Sequence, residues 1–170
     1  VDIEDILGRD PVVLDNNQIG KLIEDRTILV TGAGGSIGSE LCRQIIKYNP
    51  SQLVMLDIYE NSLYNIELEL KEQYSHIDIQ AIIGSVRDIK RLEQVFEEYN
   101  PYLVFHAAAH KHVPLMEDAP KEAIKNNVFG TYNVIQACIN NHVSKFILIS
   151  TDKAVHPVSV MGATKRMTEL

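Results

Sequence analysis

Thr151, Asp152 and Lys153 set a hydroxyl, a carboxylate and an amine side by side. Such a trio suits acid–base work on a hydroxylated ligand. Thr151 can hold a ligand hydroxyl. Asp152 can give a proton where its surroundings raise its pKa, and Lys153 can take one where burial lowers its own. With Ser150 before them, the same residues also read as an exposed ion pair capping the next element, and the sequence leaves both readings open. Farther along lies Met161-Gly162-Ala163-Thr164-Lys165. In a helix, Lys165 shares a face with residue 161 and presents a second cation there. Met161 carries no proton to give or take, and by itself reads as core packing.

A second cluster suits anion binding. Gly32, Gly35 and Gly38 form G-x-x-G-x-x-G. Glycine permits a tight turn and lets the backbone approach a pyrophosphate with no Cβ in the way. The free N–H groups where the next helix starts, around Ser36, Ile37 and Gly38, then face the diphosphate. Asp57 stands 19 residues after Gly38, where a carboxylate accepts hydrogen bonds from an adenosine ribose. It would repel a 2′-phosphate, so the pattern points to NAD rather than NADP, with Lys165 at the nicotinamide ribose. The plainer alternative is a structural turn and a solvated aspartate. No Gly-Lys-Ser/Thr closes the glycine run, which excludes a Walker A loop and removes the main support for phosphoryl transfer.

These groups need a scaffold that brings them to one edge. Apolar strand-like runs at 27–30, 53–56, 77–83, 102–105 and 146–149 alternate with helical patterns. This predicts an α/β, Rossmann-type doubly wound parallel sheet of five strands in the order 3-2-1-4-5. Ligands of such sheets lie beyond the carboxyl ends of the strands. There, Ser85 and Val86 would flank an adenine, and Asp88 caps a helix. Ala107, Ala108 and Ala109 let a cofactor lie close to the backbone. Lys111 and His112 would meet a substrate phosphate or sugar, and His106 reads as structural. A long helix after Pro120 is expected to bury Ile124, Val128, Thr131, Val134, Ile135 and Cys138. Residues 1–25 show little periodicity, with turns at Asp10-Pro11 and at 15–17. They read as a leader or linker packing on a domain of residues 26–170. The start at Val1 and the stop at Leu170 inside a helical pattern read as an excised fragment, truncated before a substrate-binding part.

Composition narrows the classes. Of 170 residues, 45% are hydrophobic and 23% charged, ordinary for a globular chain and against disorder or coiled coil. A net charge of -7 speaks against nucleic acid as partner, because phosphate-backbone binders carry a basic excess. The apolar runs are too short to span a bilayer. Cys42 and Cys138 read as reduced core thiols, and the histidines at 106, 110 and 112 lack the further ligands zinc needs, so no metal is expected.

Taken together, the motifs resemble the extended short-chain dehydrogenase/reductases: T-G-x-x-G-x-x-G, His106 with the three alanines after it, Asn127, Ser150-Thr151 and Lys165. More closely, G-R-D-P (8–11), V-T-G-A-G-G-S-I-G-S-E-L (30–41), A-A-A-H-K-H-V-P-L-M-E (107–117), N-N-V-F-G-T (126–131) and S-T-D-K-A-V-H-P (150–157) are similar to the CapD/PglF-type polysaccharide-biosynthesis proteins. These are bacterial UDP-N-acetylglucosamine 4,6-dehydratases. The resemblance implies tightly bound NAD at Gly32–Gly38 and Asp57, and UDP-N-acetylglucosamine near Lys111, His112, Met116, Glu117, Asn127 and Thr151. It matches Lys153 to the base that removes the C5 proton and Asp152 to the acid that protonates the departing C6 hydroxyl. Most of the superfamily has Tyr where this chain has Met161, which argues against a 4-epimerase. The C4 proton acceptor is then Asp152 or a water. Full-length relatives are implied to be anchored on the cytoplasmic side of the bacterial membrane and to pair as homo-oligomers. The fragment alone is expected to bind NAD weakly or moderately and to turn over little.

Overall fold

A computed structural model describes residues 15–170. The G-R-D-P motif at 8–11 and the turn at Asp10-Pro11 lie outside the described residues. The described part opens with α1 (Asn16–Ile23), where the sequence suggested only a turn and a leader. The Asp15 carboxylate accepts the backbone N–H groups of Asn17 and Gln18 and so caps this helix, satisfying donors that have no intrahelical partner. Ile19, Leu22 and Ile23 fall at helical spacing and dock on the main core. A helix of eight residues is marginal alone, so this docking is what holds it.

Five parallel strands follow: β1 (Thr27–Thr31), β2 (Gln52–Asp57), β3 (Asp78–Ile83), β4 (Leu103–His106) and β5 (Lys145–Leu148). Their order is β3-β2-β1-β4-β5, as the alternation predicts. Four helices complete the crossovers: α2 (Ser36–Ile45), α3 (Glu60–Gln73), α4 (Ile89–Tyr99) and, after further helical pieces, α7 (Gly130–Asn140). Strand residues alternate between two apolar layers. Ile28, Val30, Leu53 and Met55 pack with Cys42, Ile45, Leu63, Ile66 and Leu70 of α2 and α3. Leu29, Val54, Leu56 and Val104 pack with Leu92, Val95, Phe96, Val134 and Cys138 of α4 and α7. A central strand buried on both faces needs apolar residues at every position, which is why β1 reads Ile-Leu-Val without a polar break. Both cysteines sit in these layers, and burial pushes each thiol up to about 12.

Between β4 and α7 the chain forms α5 (Val113–Asp118), α6 (Pro120–Ala123) and a π-helical segment (Ile124–Phe129) that runs directly into α7. The π segment changes the predicted apolar face. Ala123, Asn127, Thr131, Val134 and Cys138 face inward, while Ile124 is 40% exposed. Wider i→i+5 turns alter the phase of a helix, and a 3.6-residue period read through residues 120–128 misses that. After β5, a 3₁₀ turn (Asp152–Ala154) leads to α8 (Val160–Met167). A small third cluster of Met116, Ala123 and Met161, with Val113 and Val160 against it, packs α5, α6 and α8 together.

Candidate active site

The carboxyl ends of β1 and β4 are level, since Thr31 pairs with His106. The glycine turn starts there. Gly32 has φ +71, and a Cβ on it would lie 2.6 Å from the backbone nitrogen of Ala108. Only glycine fits both the left-handed backbone and that approach. Gly35 occupies the N-cap position of α2 and brings no side-chain cap. The first amides of α2 therefore keep their donors for whatever lies in front of them. Asp57 fixes the turn from the next strand. One carboxylate oxygen accepts Gly34 N–H at 2.8 Å and the other accepts Tyr59 N–H at 2.9 Å. Each oxygen retains a further lone pair for a ligand hydroxyl.

Behind the turn lies a buried polar spine. His106 Nδ1 is 2.6 Å from the Thr31 hydroxyl, and Nε2 is 2.8 Å from the Thr131 hydroxyl. It ties β1, β4 and α7 together. Burial, with the nearby Lys165 charge adding to it, pushes its pKa down to about 3, so the ring is neutral. Asn127, on the π segment, holds the next loop. Its side-chain oxygen accepts His110 N–H at 2.7 Å, while its amide donates to His110 O and to Thr164 Oγ1, each at 3.0 Å.

In front of these elements opens a cleft of about 660 Å³, within the range of small-molecule sites. Gly32, Gly35, Ser36, Ile37 and Gly38 form one wall, Lys111, His112 and Met116 the second, and Thr151, Lys153, Met161 and Lys165 the third. No Asp or Glu lines it among the described residues. A second lobe of about 150 Å³ adjoins it, lined by Asp57, Ser85, Val86 and Ala108. Ala107, Ala109, His110 and Tyr59 border both lobes. The large lobe is cationic in a chain of net charge -7, a local field that draws anions.

The Thr-Asp-Lys turn sits at the mouth. Asp152 is 87% exposed and Lys153 53% exposed, with 3.3 Å between them. The Thr151 hydroxyl donates to Asp152 at 2.9 Å. This hydroxyl and then Lys153 hold the Asp152 carboxyl below the usual carboxylate range. Thr151 and Lys153 line the large lobe and Asp152 does not. Lys165, only 5% exposed, donates to the Ile149 carbonyl at 2.7 Å. Desolvation lowers its pKa, opposed by Glu169. Met161 is buried, and it borders the cleft beside Lys165.

Of the residues singled out in the sequence, most come together around the two lobes. Asn127 stands buried behind the walls instead, and Glu117 is exposed outside them. Asn127 is consumed by the three bonds above, and Glu117 accepts the backbone N–H of Val160 at 2.7 Å. Sequence reasoning overlooked Tyr59, Leu115 and the amide of Gly34. Tyr59 has a readable signal, since it follows Asp57 just past the carboxyl end of β2. Gly34 has none, because its role is a hydrogen bond across 23 residues.

The sequence profile of the polysaccharide biosynthesis protein family matches residues 28–170. The chain is 53% identical over its whole length to the capsular polysaccharide biosynthesis protein CapD of Staphylococcus aureus, of which it spans 28%. It is 38% identical, over 85% of its length, to a UDP-N-acetylglucosamine 4,6-dehydratase (inverting) of Campylobacter jejuni, spanning 42% of that protein. Among solved structures, the UDP-glucose 4-epimerase of Thermotoga maritima with UDP-glucose superposes on 84% of the chain with a TM-score of 0.71 and 26% identity, the match covering 48% of the epimerase. With the glycine turn, the level strand ends and the cationic cleft in place, and with that profile running from β1 to Leu170, the chain belongs to the polysaccharide biosynthesis protein family.

Proposed function

We propose that this chain is the cofactor-binding part of an NAD-dependent nucleotide-sugar 4,6-dehydratase that acts on UDP-N-acetylglucosamine in surface polysaccharide or glycan synthesis. One observation carries the reading. An uncapped helix start at a glycine turn opens on a cleft lined by Lys111, His112, Lys153 and Lys165 and, among the described residues, by no carboxylate, and this cleft continues into a smaller lobe at Asp57. That shape suits a dinucleotide diphosphate between the lobes and a second diphosphate beside the lysines.

The residues present fit NAD. A Cβ at position 32 would collide with the backbone of Ala108, so the turn keeps a bare surface, and Asp57 offers acceptors where an adenosine ribose would lie. Gly32, Gly35, Ser36, Ile37 and Gly38 would hold the diphosphate, and Ser85, Val86 and Ala108 the adenine end. When bound, NAD would supply a hydride acceptor for the sugar C4 and then a hydride donor for C6, which leaves no net NADH. The protein's own residues do the proton work. Lys153 takes the C5 proton, made acidic by a ketone at C4. Asp152 gives a proton to the C6 hydroxyl as water leaves. In the open cleft Thr151 and Lys153 hold Asp152 ionised. A sugar closing over the turn would strip water from it, and desolvation raises a carboxyl pKa, the direction acid catalysis requires. Lys165 orients the nicotinamide ribose and holds a positive potential there.

Met161 cannot take the C4 hydroxyl proton, which dehydratase and epimerase must both remove, so in this proposal Asp152 or a water takes it. The dehydratase is preferred on the Thr151-Asp152-Lys153 trio, which supplies the acid and base that loss of water needs. The likeness to an epimerase structure keeps that second reading testable. Among the described residues no helix is long and apolar enough to cross a membrane. The anchor on the cytoplasmic face, the pairing of copies and the remaining substrate contacts belong, in this proposal, to parts of a longer protein. Mass spectrometry of UDP-N-acetylglucosamine incubated with the full-length protein and NAD is the test. Loss of one water without net NADH is expected. An isomer of unchanged mass, resolved from the substrate by chromatography, would mean epimerisation, and unchanged substrate a non-catalytic module. Asp152→Asn and Lys153→Ala should each lower turnover by about 10²–10⁴-fold.

A further inference from the structure

We propose that Glu117 is a positioning residue that sets the spacing between Lys111 and His112, which lead into α5, and Lys165 on α8. The kinetic part of this proposal rests on the dehydratase reading, and its structural part does not.

Glu117 lies on α5, five residues from His112, but its carboxylate is aimed at α8 rather than at the cleft. Oε1 accepts the Val160 N–H at 2.7 Å, at the short end for a charge-assisted bond. Val160 is the first residue of α8, so this N–H has no partner inside the helix. Ser159 Oγ takes the Gly162 N–H at 3.1 Å. Acceptors from two different elements thus take two of the first-turn donors, and a carboxylate is also the favoured charge at a helix start. Behind the bond, Met116 and Met161 belong to one apolar cluster with Ala123, Val113 and Val160. The polar bond limits sliding of α8 along α5, while the apolar contact holds the two elements together. On its other side α8 rests on the Thr-Asp-Lys turn. A Cβ at Gly162 would lie 2.5 Å from the Lys153 carbonyl oxygen.

The first turn of α8 is therefore gripped between Glu117 and the backbone of Lys153, and one turn later it carries Lys165. Lys111 and His112 lead into α5 and line the same cleft as Lys153 and Lys165. One hydrogen bond thus ties the second wall to the third. Displacement of a reacting group by about 1 Å can reduce rate by about a hundredfold, so the bond bears on rate without touching substrate.

The test compares Glu117→Ala, Glu117→Gln and Glu117→Asp in the full-length protein with NAD. Glu117→Ala should lower kcat by about tenfold or more with KM changed less than about threefold. Glu117→Gln should recover most of the rate, because its amide oxygen accepts the same N–H. Glu117→Asp, one methylene shorter, should fall between, and it stands in for the alanine variant if that one does not fold. Amide exchange read by NMR should quicken at Val160, and to a lesser degree at Gly162, in Glu117→Ala and stay slow in Glu117→Gln. A rise in KM at constant kcat, a glutamine variant as impaired as alanine, or unaltered exchange in Glu117→Ala would each overturn the proposal. If the wild type leaves UDP-N-acetylglucosamine unchanged, the dehydratase reading fails by itself. The exchange rates and the Lys165 ε-ammonium shift then decide the role of Glu117, and a shift identical in wild type and Glu117→Ala would count against it.

Discussion

His106 has both ring nitrogens occupied by threonine hydroxyls and a pKa pushed down to about 3. The unfolded chain protonates the same ring below its ordinary value near 6.5. Below that pH the unfolded state binds the extra proton, so stability falls as pH drops from about 6.5 toward about 3 and is fully present above. The slope from this one group approaches about 1.4 kcal/mol per pH unit. Denaturant unfolding at pH 7 and pH 5 should show His106→Gln less stable than wild type at pH 7 yet losing less between the two. Equal losses in both proteins would reject the assignment. Gly32 gives a second test at this scale. Gly32→Ala combines a left-handed φ of +71 with a Cβ 2.6 Å from Ala108 N. The conformation alone costs about 1–2 kcal/mol, and the collision adds to it by moving the alanine loop. A lower melting temperature and loss of NAD binding in a calorimetric titration are expected. NAD affinity equal to that of wild type would contradict the role given to the turn.

Among the elements, the π segment carries the least visible function. It puts Asn127 on the inward face with Ala123 and Thr131. From there the side chain bridges the loop at His110 to Thr164 on α8. Asn127→Ala would remove the partners of the part-buried N–H and C=O of His110, at about 0.5–1.5 kcal/mol per bond. Thermal unfolding should shift down, and hydrogen exchange should quicken in 108–112 while β1 and β2 keep their protection. Uniform quickening across the sheet would show a global rather than a local effect, against this account. Most elements were legible from periodicity, because a parallel sheet buried on both sides leaves continuous apolar runs. α1 was not, since its inward residues count as a pattern only once a core lies beneath them. The π segment was not either, because i→i+5 bonding leaves no residue type that a fixed 3.6 period can detect.

For the whole molecule the deciding quantity is the sign of charge by region. Sixteen Lys and Arg against twenty-three Asp and Glu make the chain acidic, yet among the described residues the charged side chains lining the large lobe are basic. Binding of UDP should therefore weaken as salt rises from about 0.01 to 0.15 M, where the screening length shrinks from about 30 to about 8 Å. Lys111→Ala should weaken it about three- to tenfold and flatten that dependence. Salt-independent affinity in a fluorescence titration would place the anion elsewhere.

Order along the chain was enough for the strand sequence, the glycine turn, Asp57 and the loops that close the cleft. Local patterning and the chirality of βαβ crossovers leave few alternatives to 3-2-1-4-5 once the strands are recognised. What Glu117 and Asn127 bind was decided only by tertiary structure. A carboxylate or an amide presents the same atoms to a ligand and to a backbone N–H, and only the position of α8 beside α5 and the π segment selects between them. The direction in which the pKa of Asp152 and of Lys165 moves is set the same way, because solvent exposure and neighbouring charge are properties of the packed molecule rather than of the residue type.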